Sequence, residues 1–234
     1  MAAQPSAKVR LAAGEVDLWP GTVEIQDWVE PNIKIALFDD TLAYHPALVE
    51  RTLTLESDPV LARPFPGYVG SAKVYHLERW NCPEAELIHR RAIEMFKRVL
   101  GTRDAAVDLS WANIYREGDY CLPHSHWRAT AGIVYFLELG LGAEADAGAD
   151  GPGQGRFCFA DPRLEVCCQE EAHAMTTPGG PAARNGMMIM FPGKIVHMVD
   201  VFKRPGPRIT LSWNVNEHPL PGSPFPQAAA KVPR

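Results

Sequence analysis

Two histidines, His124 and His126, stand one residue apart in "GDYCLPHSHW", and a third, His197, lies in "KIVHMVDV" about 70 residues further on. On an extended chain, residues i and i+2 share a face, so the first pair is expected to present both imidazoles to one point. Histidine is the commonest transition-metal ligand, and three imidazoles can fill one face of a coordination sphere. An H-x-H pair alone is weak support for a metal; its surroundings add weight.

Arg208 follows His197 by 11 residues, in "RPGPRITLSWNVN". On a strand, Arg208, Thr210 and Ser212 would share one face, and Ile209, Leu211 and Trp213 the other. An arginine pointing into an apolar interior needs an anion, because an unpaired buried guanidinium is costly. A carboxylate held by its planar fork is the natural partner. The plainer alternative is a structural ion pair with an Asp or Glu of the same chain. Upstream, Asn113 and Tyr115 alternate inward on the segment that leads to the H-x-H.

These residues need a scaffold, and the chain reads as one domain of mainly β character, α+β overall. The clearest helix is 83–100: Pro83 opens it, Glu84 and Glu86 fill its first turn, and Gly101 follows its end. From residue 108 the texture changes to short strands: "LSWANIYREG", "AGIVYFLELG", "GRFCFADPR", "GMMIMFPG", "IVHMVDVF" and "PRITLSWNVN". Short strands with Gly and Pro turns suggest a sandwich or jelly roll with the long helix packed on one sheet. The expected division is an N-terminal elaboration (1–107), a jelly-roll core (108–217) and an irregular tail (218–234). Strands are expected in "TVEIQDWV" and "PNIKIALFDD" and a short helix in "HPALVERTLTLESD", while residues 1 to about 20 read as loose. The Gly- and Ala-rich stretch 140–155 reads as a surface loop, either a lid over the site or a plain insertion.

The 234 residues are 46% hydrophobic, enough for a sizeable core, and the net charge of −5 argues against a nucleic-acid partner. No apolar run approaches the roughly 20 residues of a membrane helix. A cytoplasmic protein with reduced thiols is expected, since the five cysteines are scattered and odd in number.

Tyr115, Gly118, Asp119, Tyr120, His124 and His126 together spell Y-x-x-G-D-Y-x-x-x-H-x-H. This run resembles the iron(II)- and 2-oxoglutarate-dependent oxygenases, double-stranded β-helix (jelly-roll, cupin-like) enzymes. Their prolyl-hydroxylase-like members carry Y-x-x-G-x-x-Y-x-x-H-x-D, with the same nine residues from tyrosine to first histidine. His197, Arg208 and Thr210 match their distal histidine, arginine and hydroxyl residue, and "GMMIMFPGKIVHMV" is similar to the strand that carries that histidine. The likeness is nearest to a subgroup with P-H-x-H and F-x-D-P-R, here Pro123–His126 and Phe159–Arg163. It implies Fe(II) on His124, His126 and His197, with 2-oxoglutarate as cosubstrate and O2 as oxidant. Arg208 and Thr210, with Tyr115 and Asn113, would form the cosubstrate site. The implied reaction is hydroxylation or a related oxidation of a C–H bond in a small molecule or peptide residue, with succinate and CO2 as coproducts.

The usual triad is two histidines and one carboxylate. His126 stands at the carboxylate position, which leaves the site one unit more positive. His126 could instead turn away, with Asp161 or Asp200 as distant carboxylate candidates. A three-histidine dioxygenase without cosubstrate and a non-catalytic carboxylate-sensing jelly roll are the remaining alternatives. Trp127 and Arg128, next to the ligand pair, are candidate substrate contacts. Trp80, Trp111 and Trp213 are expected in the core, and His89 as a surface or satisfied core histidine. Dimers are common in such folds, so a homodimer stays open. Ordinary imidazoles, with pKa near 6.5, would make metal affinity fall below about that pH.

Overall fold

The structure is a computed structural model and describes residues 7–64, 71–140, 154–164 and 179–221. In chain order it contains β1 (Lys8–Leu11), β2 (Gly14–Asp17), β3 (Ile25–Trp28), β4 (Glu30–Leu37), α1 (His45–Leu55), β5 (Ala62–Pro64), β6 (Ala72–Tyr75) and α2 (Pro83–Leu100). There follow β7 (Ala106–Tyr115), β8 (Cys121–His124), β9 (Ala131–Glu138), β10 (Phe157–Phe159), β11 (Met187–Pro192), β12 (His197–Val199) and β13 (Arg208–Asn216). Eight strands form one antiparallel sheet in the order β3-β4-β11-β9-β13-β7-β6-β5, and three form a second in the order β10-β12-β8. This is the expected mainly β jelly roll, with two α-helices among the described residues.

The large sheet has a core on each face. On one side Ile133, Tyr135, Leu211 and Trp213 join Leu87, Ile88, Met95 and Phe96 of α2. On the other, Val134, Phe136, Ile189 and Phe191 join Phe157, Phe159 and Val199 of the small sheet. Burial of both faces explains why "AGIVYFLE" is apolar without alternation. Helix α2 runs over the expected residues. Pro83 sits in its first turn, Lys97 and Arg98 in its last, and Gly101 closes it at φ 65° with its N–H on the Lys97 carbonyl.

The N-terminus departs from expectation: residues 8–17 are not loose but form the β1–β2 hairpin. Val9 and Leu11 are buried in the helix-side core. The fully buried Arg91 of α2 donates to the carbonyls of Asp17 (2.8 Å) and Leu18 (2.9 Å), tying the segment down. Arg91 also binds Asp40 and Tyr44, and Tyr44 meets the Tyr135 hydroxyl at 3.0 Å. His45 joins this network through Nε2, 2.6 Å from the Tyr135 hydroxyl. The strands expected in 22–40 and the helix expected after His45 are present. Most of the 140–155 loop (141–153) and of the tail (222–234) lies outside the described residues. No helix among the described residues is long and apolar enough to cross a membrane.

Candidate metal centre and active site

Strand β7 belongs to the large sheet and β8 to the small one, and the turn 116–120 carries the chain across. Asp119 accepts from the Arg116 N–H (2.8 Å) through its carboxylate, and Gly118 takes φ 92° with its N–H on the Phe202 carbonyl. A glycine suits that left-handed position. The spacing from Tyr115 to His124 is therefore the length of a crossing between two facing sheets.

On the small sheet His124 lies directly opposite His197 in the β8–β12 pair. Strand β8 ends at His124, so His126 does not reach the same point by strand alternation, as the spacing suggested. It is carried by the loop that follows. That loop is held by the His126 N–H on the Gly193 carbonyl (2.7 Å) and the Ala129 N–H on the His126 carbonyl (2.8 Å). A side chain at Gly193 would meet the Ala129 carbonyl oxygen at 2.2 Å and the His126 carbonyl oxygen at 2.7 Å, so only glycine fits in "FPG".

The three rings converge. One ligand atom from each of His124, His126 and His197 lies within 4.8 Å of the others. His124 Nδ1 donates to the Leu122 carbonyl (2.8 Å) and His197 Nδ1 to the Ile195 carbonyl (3.1 Å). These bonds put the proton on Nδ1 and leave the Nε2 lone pairs for a ligand. His126 Nε2 and His197 Nε2 are 3.2 Å apart. Two nitrogens bound at right angles to one metal by bonds of about 2.1 Å would stand about 3 Å apart. Burial, with smaller contributions from His124 and Lys73, pushes the His126 pKa down to about 3. Burial likewise lowers that of His124 and takes His197 well below its usual value. All three are neutral near pH 7, the form that binds metal. The donor set fits a divalent transition metal.

No described carboxylate joins the three rings. Asp161 is held by the Arg163 side chain and its backbone N–H, and Asp200 by Arg156 Nε (2.9 Å) and Nη2 (2.7 Å). Both alternative carboxylates are engaged elsewhere.

Beside the histidines a cavity opens between the sheets, with Arg208, Thr210, Tyr115 and Asn113 on its wall. Arg208 is fully buried, and Nε, Nη1 and Nη2 have no hydrogen-bond partner among the described residues. Its guanidinium rests on the rings of Tyr115 (5.1 Å) and Phe136 (5.7 Å), and burial lowers its pKa. The structural ion pair considered as the plain alternative is absent from the described residues. An orphaned buried guanidinium fits an absent carboxylate.

Asn113, on the cavity wall, also positions its neighbours. Its Nδ2 donates to Thr210 Oγ1 and Ser212 Oγ (3.2 Å each), while Oδ1 accepts from Trp111 Nε1 (3.1 Å) and Lys73 Nζ. All four of its hydrogen-bonding positions are taken. It positions its neighbours, and the two hydroxyls that accept from it keep their own protons to donate. Trp111 is buried as expected, but it also lines the cavity, its ring 5.5 Å from that of His126. Trp213 donates to His89 Nδ1 (3.1 Å), which makes His89 a satisfied core histidine. Trp127 is 72% exposed and Arg128 is exposed, and neither lines the cavity.

Lys73 of β6 is on the cavity wall and escaped the sequence reading. It pairs with Asn113 in register, as Thr210 does from the other side. Its ammonium lies 5.5 Å from the Trp111 ring centroid, and burial lowers its pKa to about 8.

This fold and site define a jelly-roll protein with a three-histidine candidate metal centre beside a buried guanidinium that fits a carboxylate. Residues 109–214 match the family model described as "Putative 2OG-Fe(II) oxygenase". The matched region, a little under half of the chain, is thus similar to the core of the 2OG-Fe(II) oxygenases, oxidoreductases that use iron and 2-oxoglutarate. No curated protein sequence matches it. Among solved structures, HygX from Streptomyces hygroscopicus, with nickel, 2-oxoglutarate and hygromycin B bound, is similar at TM-score 0.57 and 10% identity over 79% of this chain and 82% of that one. A prolyl-4-hydroxylase from Pseudomonas putida is similar at 0.52 and 17% identity over 78% and 91%. The viral collagen prolyl hydroxylase of Paramecium Bursaria Chlorella virus-1, a 2-oxoglutarate complex, is similar at 0.52 and 14% identity over 79% and 95%.

Proposed function

We propose that this protein hydroxylates, or otherwise oxidises, an unactivated C–H bond of a small molecule or peptide residue, with 2-oxoglutarate converted to succinate and CO2. The observation that carries this reading is the coexistence, in one cavity, of three neutral inward-facing imidazoles and a buried guanidinium without a partner. His124, His126 and His197 would hold iron(II), which supplies dioxygen activation through oxidative decarboxylation of the cosubstrate. The protein's own part is positional. The Nδ1 bonds of His124 and His197 to backbone carbonyls fix their rings, and the Gly193 turn fixes the loop of His126. Arg208 would grip the far carboxylate of 2-oxoglutarate, with the Thr210 hydroxyl, oriented by Asn113, donating beside it. Phe157 and Phe191, whose rings lie 5.4 and 4.7 Å from that of His197, keep this side of the site apolar. The solved neighbours named for prolyl hydroxylation and for hygromycin B binding support a peptide or small-molecule substrate.

The test is anaerobic titration with iron(II) and then 2-oxoglutarate, followed by exposure to air. A visible charge-transfer band that needs both, and succinate released in air, are expected. Bound iron with no band and no succinate would return the protein to the cosubstrate-free or sensing alternatives.

A further inference from the structure

The Arg208 side chain is placed by packing, because none of its three nitrogens bonds to a described residue. Its guanidinium rests on the rings of Tyr115 (5.1 Å) and Phe136 (5.7 Å). Its stem is bounded by Gly155, just before β10. Gly155 is buried and takes φ 66°. A Cβ on it would lie 2.9 Å from Arg208 Cδ, 3.3 Å from Arg208 Nε and 3.1 Å from the Phe202 ring. Approaches that close force a neighbour to move. Phe202 has little room to do so. It is fully buried, its N–H donates to the Asp119 carbonyl (2.8 Å) and its carbonyl accepts from the Gly118 N–H (2.7 Å). Its ring also abuts Gly140, where a Cβ would meet Cζ at 2.7 Å. The same Cβ would lie 3.2 Å from the carbonyl oxygens of Gly206 and Pro207, so the chain leading into Arg208 is packed from that side as well. Arg208, in contrast, borders the cavity. A displacement at Gly155 would therefore pass along the stem to the guanidinium.

We propose that Gly155, backed by the Phe202 ring, is a positioning residue for cosubstrate binding. The lack of a side chain at 155 lets Arg208 lie where its fork meets the far carboxylate of 2-oxoglutarate. This rests on the reading of Arg208 as the cosubstrate's partner. A two-pronged contact between guanidinium and carboxylate depends on the plane of the fork as well as on its distance. A small push on Cδ and Nε tilts that plane and weakens one of the two bonds. The metal ligands sit on other elements, β8, β12 and the loop after β8, so metal binding should not follow.

The test compares Gly155→Ala with Gly101→Ala in the full chain. Gly101, at φ 65° beyond α2, has the same left-handed backbone but nothing within 4 Å of the position a Cβ would take, so it reports backbone strain alone. The Kd of 2-oxoglutarate is read anaerobically on iron(II)-loaded protein from the charge-transfer band, with iron affinity and the urea midpoint measured on the same samples. Gly155→Ala should weaken 2-oxoglutarate about tenfold, as for one lost charged hydrogen bond, and leave iron affinity unchanged. Gly101→Ala should lower the urea midpoint and leave both affinities as in wild type. In turnover, Gly155→Ala should raise the KM for 2-oxoglutarate and keep kcat at saturating cosubstrate. On an Arg208→Met background it should cost no further affinity, since the residue it acts through is gone. Should Gly155→Ala fail to fold, Phe202→Leu carries the same test without backbone strain. It removes the wall behind Gly155 and should weaken 2-oxoglutarate several-fold, again only while Arg208 is present. Wild-type affinity in Gly155→Ala, or an equal loss in Gly101→Ala, overturns the proposal. An undiminished loss on the Arg208→Met background also overturns it, by routing the effect through another group. Arg208→Met with wild-type affinity for 2-oxoglutarate would instead overturn the cosubstrate reading itself, and this proposal with it.

Discussion

Arg208 stands directly opposite Tyr115 in the β13–β7 ladder, and its guanidinium lies 5.1 Å from that ring with none of its three nitrogens bonded to a described residue. A ring face offsets little of what a guanidinium loses on leaving water. Replacement by an apolar residue of similar length should therefore act in opposite directions on stability and binding. Arg208→Met is expected to stabilise the ligand-free protein by about 1–2 kcal/mol in urea denaturation. It should also weaken 2-oxoglutarate binding by about 100-fold, as expected for loss of a two-pronged charged contact. Stabilisation without loss of binding would assign the cosubstrate to another group.

His126 is read best through two substitutions. His126→Ala should lower iron affinity by at least about 100-fold, more than is usual for loss of an outer-shell partner. His126→Asp restores a ligand and an anion, so iron content should recover in metal analysis. Full iron in His126→Ala would make His126 a bystander.

Metal binding should resist acid further than the sequence implied. Free imidazoles near 6.5 would begin to compete for protons there. Burial places His126 at about 3 and lowers both partners, so protons compete with metal only at lower pH. Manganese affinity followed by water-proton relaxation should be nearly flat from pH 7.5 to about 6, and should release little proton at pH 7. A steep fall centred near 6.5 would show that the rings are not buried as described.

A separate acid sensitivity lies in the helix-side core. His45 is held in its neutral form by burial, its pKa lowered from 6.5 to about 4. Above 6.5 neither folded nor unfolded chain protonates it. As pH falls from 6.5 toward 4 the unfolded chain takes up a proton that the folded one refuses, so stability is lost across that window. At about 1.4 kcal/mol per unit the loss from this group is on the order of 3 kcal/mol. His45→Gln should flatten the dependence of urea stability on pH between 7 and 4.5 by that share. An unchanged slope would place the acid sensitivity elsewhere, with the three site histidines the next groups to vary.

What could be read from the chain alone was what local spacing encodes. His124, His197 and Arg208 stand at the ends of strands whose apolar runs are visible, and α2 announces itself by Pro83, its acidic first turn and Gly101. What could not be read depended on pairing between distant segments. Lys73 sits in a four-residue strand after a Gly- and Pro-rich stretch, and only its pairing with β7 puts it beside Asn113. The positioning part of Asn113 was hidden for the same reason, since its four partners come from three strands. The β1–β2 hairpin has little apolar signal of its own, and Arg91, about 70 residues away, helps to hold it. His126 showed the limit of periodicity: the H-x-H spacing suggested a strand pair, but the strand stops after the first histidine.

That stop gives the centre an unequal construction. His124 and His197 are locked into a ladder, where a change of register would move every neighbour, whereas His126 hangs from a short loop anchored by backbone bonds to Gly193. The identity of its side chain is not tied to the sheet. A single codon change there can alter the charge on the metal while the barrel stays as it is. The third position therefore behaves as an interchangeable socket, and it is the place where laboratory selection could most readily give this scaffold a different oxidising chemistry.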